Sequence, residues 1–217
     1  MNVGLVLAAA AADWARLGPL IDPVAEPRLH EPLRRLRALA AESEEWAVAA
    51  HEVARLVLEL LPPDEAEALV DAARAGRFAG SGHRTWAGFA AADLAVLVLD
   101  RHPMVGPVLG PIRDRLLGFP ALNAPWVAEH AGTAHLVRLR AEGGREQLPR
   151  FQFEDEFSPW PVVLEVNAIL DAERDPWGVA DWWLSANAYL GEPPADLLGC
   201  GRDGQLVGTA RYVVEGD

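Results

Sequence analysis

The chain has 217 residues, 51% of them apolar, which is enough to bury a core in one large domain or two small ones and excludes an acidic disordered chain. Its 19 basic residues are all arginine and face 32 acidic ones, a formal net charge of −13 that argues against nucleic-acid binding by the surface as a whole while leaving room for a local basic patch. The single cysteine, Cys200, excludes an intramolecular disulfide framework and a cysteine-based zinc cluster.

From the N-terminus, Val3 to Ala12 is apolar, but the first basic residue is Arg16 and the run is too short to span a bilayer. Residues 94–99 are apolar as well and are bracketed by Asp93 and Asp100. The expected setting is a reducing cytoplasm with no membrane partner. Arg34, Arg35 and Arg37 read as a solvated helix face. Trp46, Ala49, Val53, Leu56, Val57 and Leu60 recur at helical spacing, and Pro62-Pro63 stop that helix. Asp64, with Glu67 three residues on, reads as an N-cap opening a helix to about Arg74. A loop follows over residues 76–82. Trp86, Phe89, Ala90, Leu94 and Leu97 predict the next helix, and Val108, Ile112, Leu116 and Leu117 another, interrupted by Pro107 and Pro111.

Residues 125–140 carry a helix-turn-helix pattern: a short helix with Ala128 where close packing is needed, a tight turn at Gly132, and a second, capped helix from Thr133. On that reading Thr133, His135, Arg138, Arg140 and Arg145 are the candidate DNA contacts. Glu129, Glu142 and Glu146 oppose them, and Ala134-His135 offers little to base edges. A helical pair kept for packing is the competing reading.

Charge then shifts. Residues 1–147 carry 19 acidic and 15 arginine residues, whereas residues 148–217 carry 13 acidic and 4, with half of the eight tryptophans. A module boundary is expected near residue 147, at Gly143-Gly144 and Pro149. The expected organisation is a helical domain over 1–120 of unassigned role, the helix-turn-helix-like segment and linker over 121–147, and a small helical domain over 148–217. In the last of these, Ser158-Pro159 and Asp175-Pro176 both read as helix starts. Trp177, Ala180, Trp183 and Leu184 follow at helical spacing, while Trp182, on another face, is expected to be exposed among carboxylates as an interface anchor. Arg150 to Phe153 and Ala210 to Val214 are the best strand candidates in a mainly α chain.

Enzyme motifs are weak. Gly199-Cys200-Gly201-Arg202-Asp203-Gly204 fits G-x-G-x-x-G but follows no strand; it reads as a glycine turn. His51-Glu52 lacks the second histidine of a zinc motif, and Gly80-Ser81-Gly82-His83 reads as a surface loop. The sequence predicts no catalytic residue, metal site or cofactor.

Pro149-Arg150-Phe151-Gln152-Phe153, Asp175-Pro176-Trp177, Trp182-Trp183-Leu184, Asn187, Leu190-Gly191, Pro194 and Asp196-Leu197-Leu198 together resemble the toxin-binding domain of the Xre/MbcA/ParS antitoxins. Ala186 stands where that family usually has proline, and a single glycine, Gly191, where two are common. The resemblance covers residues 148–217 and implies a non-enzymatic protein that neutralises a RES-domain, NAD-destroying toxin. A last helix is expected at about residues 203–212, and residues 209–217 are expected to act as a tail blocking the toxin active site. Trp177, Trp182, Asn187, Leu190, Arg211, Tyr212, Glu215 and Asp217 are the implied toxin-binding residues. The implied partners are the toxin and, through residues 124–145, operator DNA, in a homo-oligomer or hetero-complex. Reuse of the domain for docking in another assembly is the third reading.

Overall fold

The apolar N-terminal run folds as helix α1 (Val3–Ala12), buried almost all round. The computed structural model describes every residue except 1, 42, 77–84, 123, 131, 156–157 and 217, and within helix Ala124–Glu129 the side chains of residues 124, 126 and 127 also lie outside the description. Residues 80–83 of the Gly-Ser-Gly-His loop therefore fall outside the described residues. The chain is mainly helical and divides into two units: residues 1–111 with Glu142–Gly144, and residues 112–141 with 145–217. The charge shift near residue 147 does not coincide with this division, because surface charge and core packing are separate properties.

In the N-terminal unit, α1 is followed by α2 (Trp14–Leu17), α3 (His30–Ala38), α4 (Glu44–Leu60) and α5 (Pro63–Gly76). The Asn2 side chain accepts the Leu5 N–H at 3.3 Å, and Ser43 accepts the Trp46 N–H at 3.0 Å, capping α1 and α4. α5 starts one residue before the expected cap. Pro63, which lacks an N–H to satisfy, takes the first position, so Asp64 lies inside the first turn. The helix expected from Trp86 is instead a hairpin, β1 (Thr85–Trp86) and β2 (Phe89–Ala90), before α6 (Ala91–Leu99). Ala87 and Gly88 both have positive φ (51° and 85°), the geometry of a tight two-residue hairpin turn. A Cβ at Gly88 would come within 2.7 Å of the Pro107 ring. α4, α5, α6 and the hairpin pack around α1, and α3 packs on α4 and α6. A helix apolar on every side needs such a sheath.

Arg37 departs from the expected solvated face. Its guanidinium reaches both carboxylate oxygens of buried Asp100, at 3.0 and 3.2 Å, and Glu142 at 3.1 Å. Asp100 also accepts the Gly143 N–H at 2.9 Å, so it organises residues 142–144. Helix α7 (Gly106–Leu117) contains Pro111, where one unit gives way to the other.

The C-terminal unit continues with β3 (Ala121–Leu122), α8 (Ala124–Glu129), β4 (Leu139–Arg140) and β5 (Glu146–Pro149), in an antiparallel sheet of order β3-β5-β4. Three helices follow: α9 (Pro161–Ile169), α10 (Pro176–Leu184) and α11 (Asp203–Glu215). Val163, Val166, Ala180, Trp183, Leu206 and Ala210 are central to their core. Neither expected strand forms as read. Arg150–Gln152 is a 3₁₀ turn leading to a single bridge between Phe153 and Pro159, and residues 210–214 belong to α11, whose Leu206 and Ala210 share one buried face. The same bridge holds Ser158-Pro159 extended, and α9 starts at Pro161. Asp175 caps α10 as expected, accepting the Gly178 N–H at 2.9 Å, and a Cβ at Gly178 would collide with that carboxylate at 2.2 Å.

Among the described residues no single helix is long and apolar enough to cross a membrane.

Candidate binding site

The residues that carry the family resemblance divide into those that hold the C-terminal unit together and those that face solvent. Gln152, Asn167 and Trp183 are fully buried and bonded to one another. The Trp183 Nε1–H donates to Asn167 Oδ1 at 2.8 Å. Asn167 Nδ2 donates to the His135 carbonyl at 2.7 Å and to Gln152 Oε1 at 3.2 Å. Gln152 exchanges hydrogen bonds with the Val137 backbone, accepting its N–H at 2.7 Å and donating to its carbonyl at 3.0 Å. With its polar groups satisfied, this network ties α9 and α10 to residues 135–137 and 152.

That network also explains why residues 133–140 are not a reading helix. Two turns around Thr133 and His135, which has φ 62°, lead into an extended segment and β4, with Leu136, Val137 and Leu139 buried. Gln152 pairs with the Val137 backbone as a neighbouring strand would, which is incompatible with helix there. The candidate DNA contacts are dispersed accordingly. Thr133 is half-buried and its N–H bonds the His130 carbonyl at 3.0 Å. His135 Nδ1 lies 3.5 Å from Glu173. The Arg138 guanidinium donates to the His130 carbonyl at 2.5 Å. Arg140 sits in β4 opposite Glu146, and Arg145 precedes β5, its carbonyl accepting the Ala141 N–H at 2.7 Å. No recognition helix carries them.

At the turn after α10, Asn187 Oδ1 accepts the Tyr189 N–H at 2.9 Å and the Leu190 N–H at 3.3 Å, and its carbonyl accepts the Gly191 N–H at 2.8 Å. An Asx turn of this kind needs no preceding proline, so Ala186 is tolerated, while Gly191, with φ 82°, supplies the left-handed step. Asn187 is thus committed to the turn. The turn carries Tyr189 outward, and Tyr189 meets Tyr212 of α11 edge to face, with ring centroids 5.0 Å apart. They are the only two tyrosines in the chain and are 67% and 57% exposed. Beside them runs a groove of about 480 Å³ lined by Leu190, Arg202, Gln205, Gly208 and Thr209. Gly204 and Gly208 have nothing within 4 Å of where a Cβ would stand. Arg202 is held by Glu192 at 3.0 Å and Gln205 at 2.5 Å. A hydrogen bond that the Tyr189 hydroxyl donates to Tyr212, then the repulsion of a Tyr212 phenolate, pushes the Tyr189 hydroxyl up from its ordinary range.

Of the expected toxin-binding residues that the structure describes, only Leu190 and Tyr212 meet at this groove, and Leu190, 8% exposed, is more core than surface. Arg211 pairs with Glu165 at 3.3 Å on the exposed side of α11, and Glu215 is exposed at its end. The last helix expected at about residues 203–212 forms as α11 and runs on to Glu215, so residues 209–215 of the expected tail are its last turns, and Asp217 lies outside the described residues. Trp182 is half-buried rather than exposed. Its ring packs edge-on against Trp183 at 5.0 Å, and Trp177 is also half-buried against that core. The sequence reading missed Tyr189, Arg202, Gln205 and Gly208. The rarity of tyrosine in the chain was the one signal available.

Comparison of the chain with protein-family models, curated proteins and solved structures gives no match.

Proposed function

We propose that the chain is an antitoxin-type binding protein, not an enzyme, whose C-terminal unit binds a cognate RES-type, NAD-degrading toxin and covers its active site. The observation that carries the reading is the exposed Tyr189–Tyr212 pair beside an open groove, in a unit where Trp160, Trp177, Trp182 and Trp183 are buried or half-buried. Large aromatic rings left in water at the rim of a concavity are the usual anchors of protein–protein association. The spacing of the Asp-Pro-Trp, Trp-Trp-Leu, Asn and Leu-Gly elements supports the choice of partner. Because α11 is docked through Leu206 and Ala210, covering of the toxin falls to the outer face of α11 and the adjoining turn rather than to a free tail.

The test is co-expression with the product of the adjacent gene. That product alone is expected to arrest growth and deplete cellular NAD, and this chain to restore both and to co-purify with it. The double variant Tyr189→Ala/Tyr212→Ala is expected to lose neutralisation while keeping its circular dichroism spectrum. A neighbour that is neither toxic nor bound overturns the reading.

A further inference from the structure

We propose that the groove between the 187–191 turn and α11 receives a basic segment of a partner protein, with an arginine side chain laid against the rings of Tyr189 and Tyr212. This rests on reading the C-terminal unit as a protein-binding unit, but not on the partner being a toxin.

Three features select a cation. The first is the rings themselves. In an edge-to-face pair that is more than half exposed, ring faces are open to solvent, and an aromatic face attracts a guanidinium through its quadrupole and by stacking. The second is that the cation lining the groove is already paired. Arg202 is bonded to Glu192 and Gln205, which offsets its charge there, and Arg211, on the exposed side of α11, is likewise paired with Glu165. The third is the surrounding charge. Residues 148–217 carry 13 acidic groups against 4 arginines, and Glu215 stands three residues beyond Tyr212 on α11, at the spacing that places side chains side by side. Gly204 and Gly208 let an incoming backbone approach α11 without meeting a side chain. Complementary charge of this kind speeds encounter, and the rings provide the anchoring contact.

The experiment is selection of a random peptide library, displayed on phage, against the full chain, with the winners resynthesised and titrated. The selected peptides are expected to share an arginine. Replacing it by glutamine is expected to weaken binding about tenfold, and by lysine about threefold, since lysine keeps the charge but loses the planar face. On the protein side, Tyr189→Ala and Tyr212→Ala are each expected to cost about threefold to tenfold, while Tyr189→Phe and Tyr212→Phe, which keep the ring, retain binding. Both positions are exposed, and unchanged thermal unfolding confirms that the variants fold. An acidic or arginine-free consensus, equal loss for the Phe and Ala variants, no enrichment, or self-association through the tyrosines overturns the proposal. A neighbouring gene product that proves harmless overturns the antitoxin reading while arginine-bearing peptides still bind here.

Discussion

The two units of this chain are built on opposite principles. The N-terminal unit is organised by a helix with no polar face: α1 is buried on all sides, and α4, α5, α6 and the β1–β2 hairpin are arranged around it. Its charged groups stay mainly at the periphery, as in Arg16 with Asp13 and Glu65, or Arg28 and Arg55 with Glu59. The C-terminal unit has a polar centre. Gln152, Asn167 and Trp183 place hydrogen-bonding groups among Val163, Val166 and Leu206, where each must find its partner. Apolar burial tolerates exchange among residues of similar volume, whereas a buried network specifies one arrangement. Tyr189 and Tyr212 stand outside that core, in solvent.

The largest expected effect breaks this contrast at its centre. Trp183→Ala is expected to destabilise the C-terminal unit by about 3–5 kcal/mol through cavity formation. Asn167→Leu keeps the volume but strands the Trp183 Nε1–H and leaves the His135 carbonyl unpaired, for about 2–4 kcal/mol. In the other unit, Leu7→Ala is expected to cost about 2–5 kcal/mol by cavity alone. Amide hydrogen exchange checks the division. The Trp183 and Asn167 variants should lose protection in α9, α10 and α11 with α1 and α4 unchanged, and Leu7→Ala should do the reverse. Uniform loss across the chain in all three would show that the units do not differ as described.

The same contrast governs what was legible in the sequence. α4 was readable because a helix that is apolar on one stripe announces itself in a local window, and Asp175 announced the start of α10 for the same reason, whereas the apolar run of α1 carries no stripe and was read only for what it excludes. The segment 133–140 was misread because its alternatives are not local. Leu136, Val137 and Leu139 suit a helix as well as a strand, and the choice is made by Gln152 and Asn167 from elsewhere in the chain. The β1–β2 hairpin was missed since Ala87-Gly88 lacks the asparagine or aspartate that usually marks such a turn. In the candidate site, Trp182 drew attention by its chemistry, yet exposure is decided by packing, and packing leaves Tyr189 and Tyr212, not Trp182, in solvent.

A smaller effect is expected at Asp100, where the N-terminal unit most resembles its neighbour. Here a nearly buried carboxylate holds Arg37 and the Gly143 N–H. Asp100→Ala is expected to cost about 1–3 kcal/mol, tempered because Arg37 keeps Glu142 and some contact with water. Release of residues 142–144 should speed tryptic cleavage after Arg145, while protection in α10 and α11 is retained. An unchanged cleavage rate would mean that Asp100 does not hold this segment.

The smallest effect separates the surface ion pairs from the buried network by their response to acid. The hydrogen bond from Arg28, then its charge, and more weakly Arg55, hold the Glu59 carboxyl below its ordinary pKa of 4.5. A carboxyl whose folded pKa is lowered stabilises the fold above the unfolded value, and the contribution disappears as pH falls through the folded value. Glu59→Gln should therefore be slightly less stable than the parent at neutral pH, with the gap narrowing below about pH 4.5 and closing in stronger acid. Added salt should shrink it further, because these groups are in water. Asn167→Leu provides the counterpart. Neither the amide nor the indole titrates in this range, so its deficit should persist across the same pH and salt series. Denaturant unfolding of both variants at several pH values measures the difference, and a Glu59 gap as insensitive to acid and salt as the Asn167 deficit would show that the pair does not act through charge.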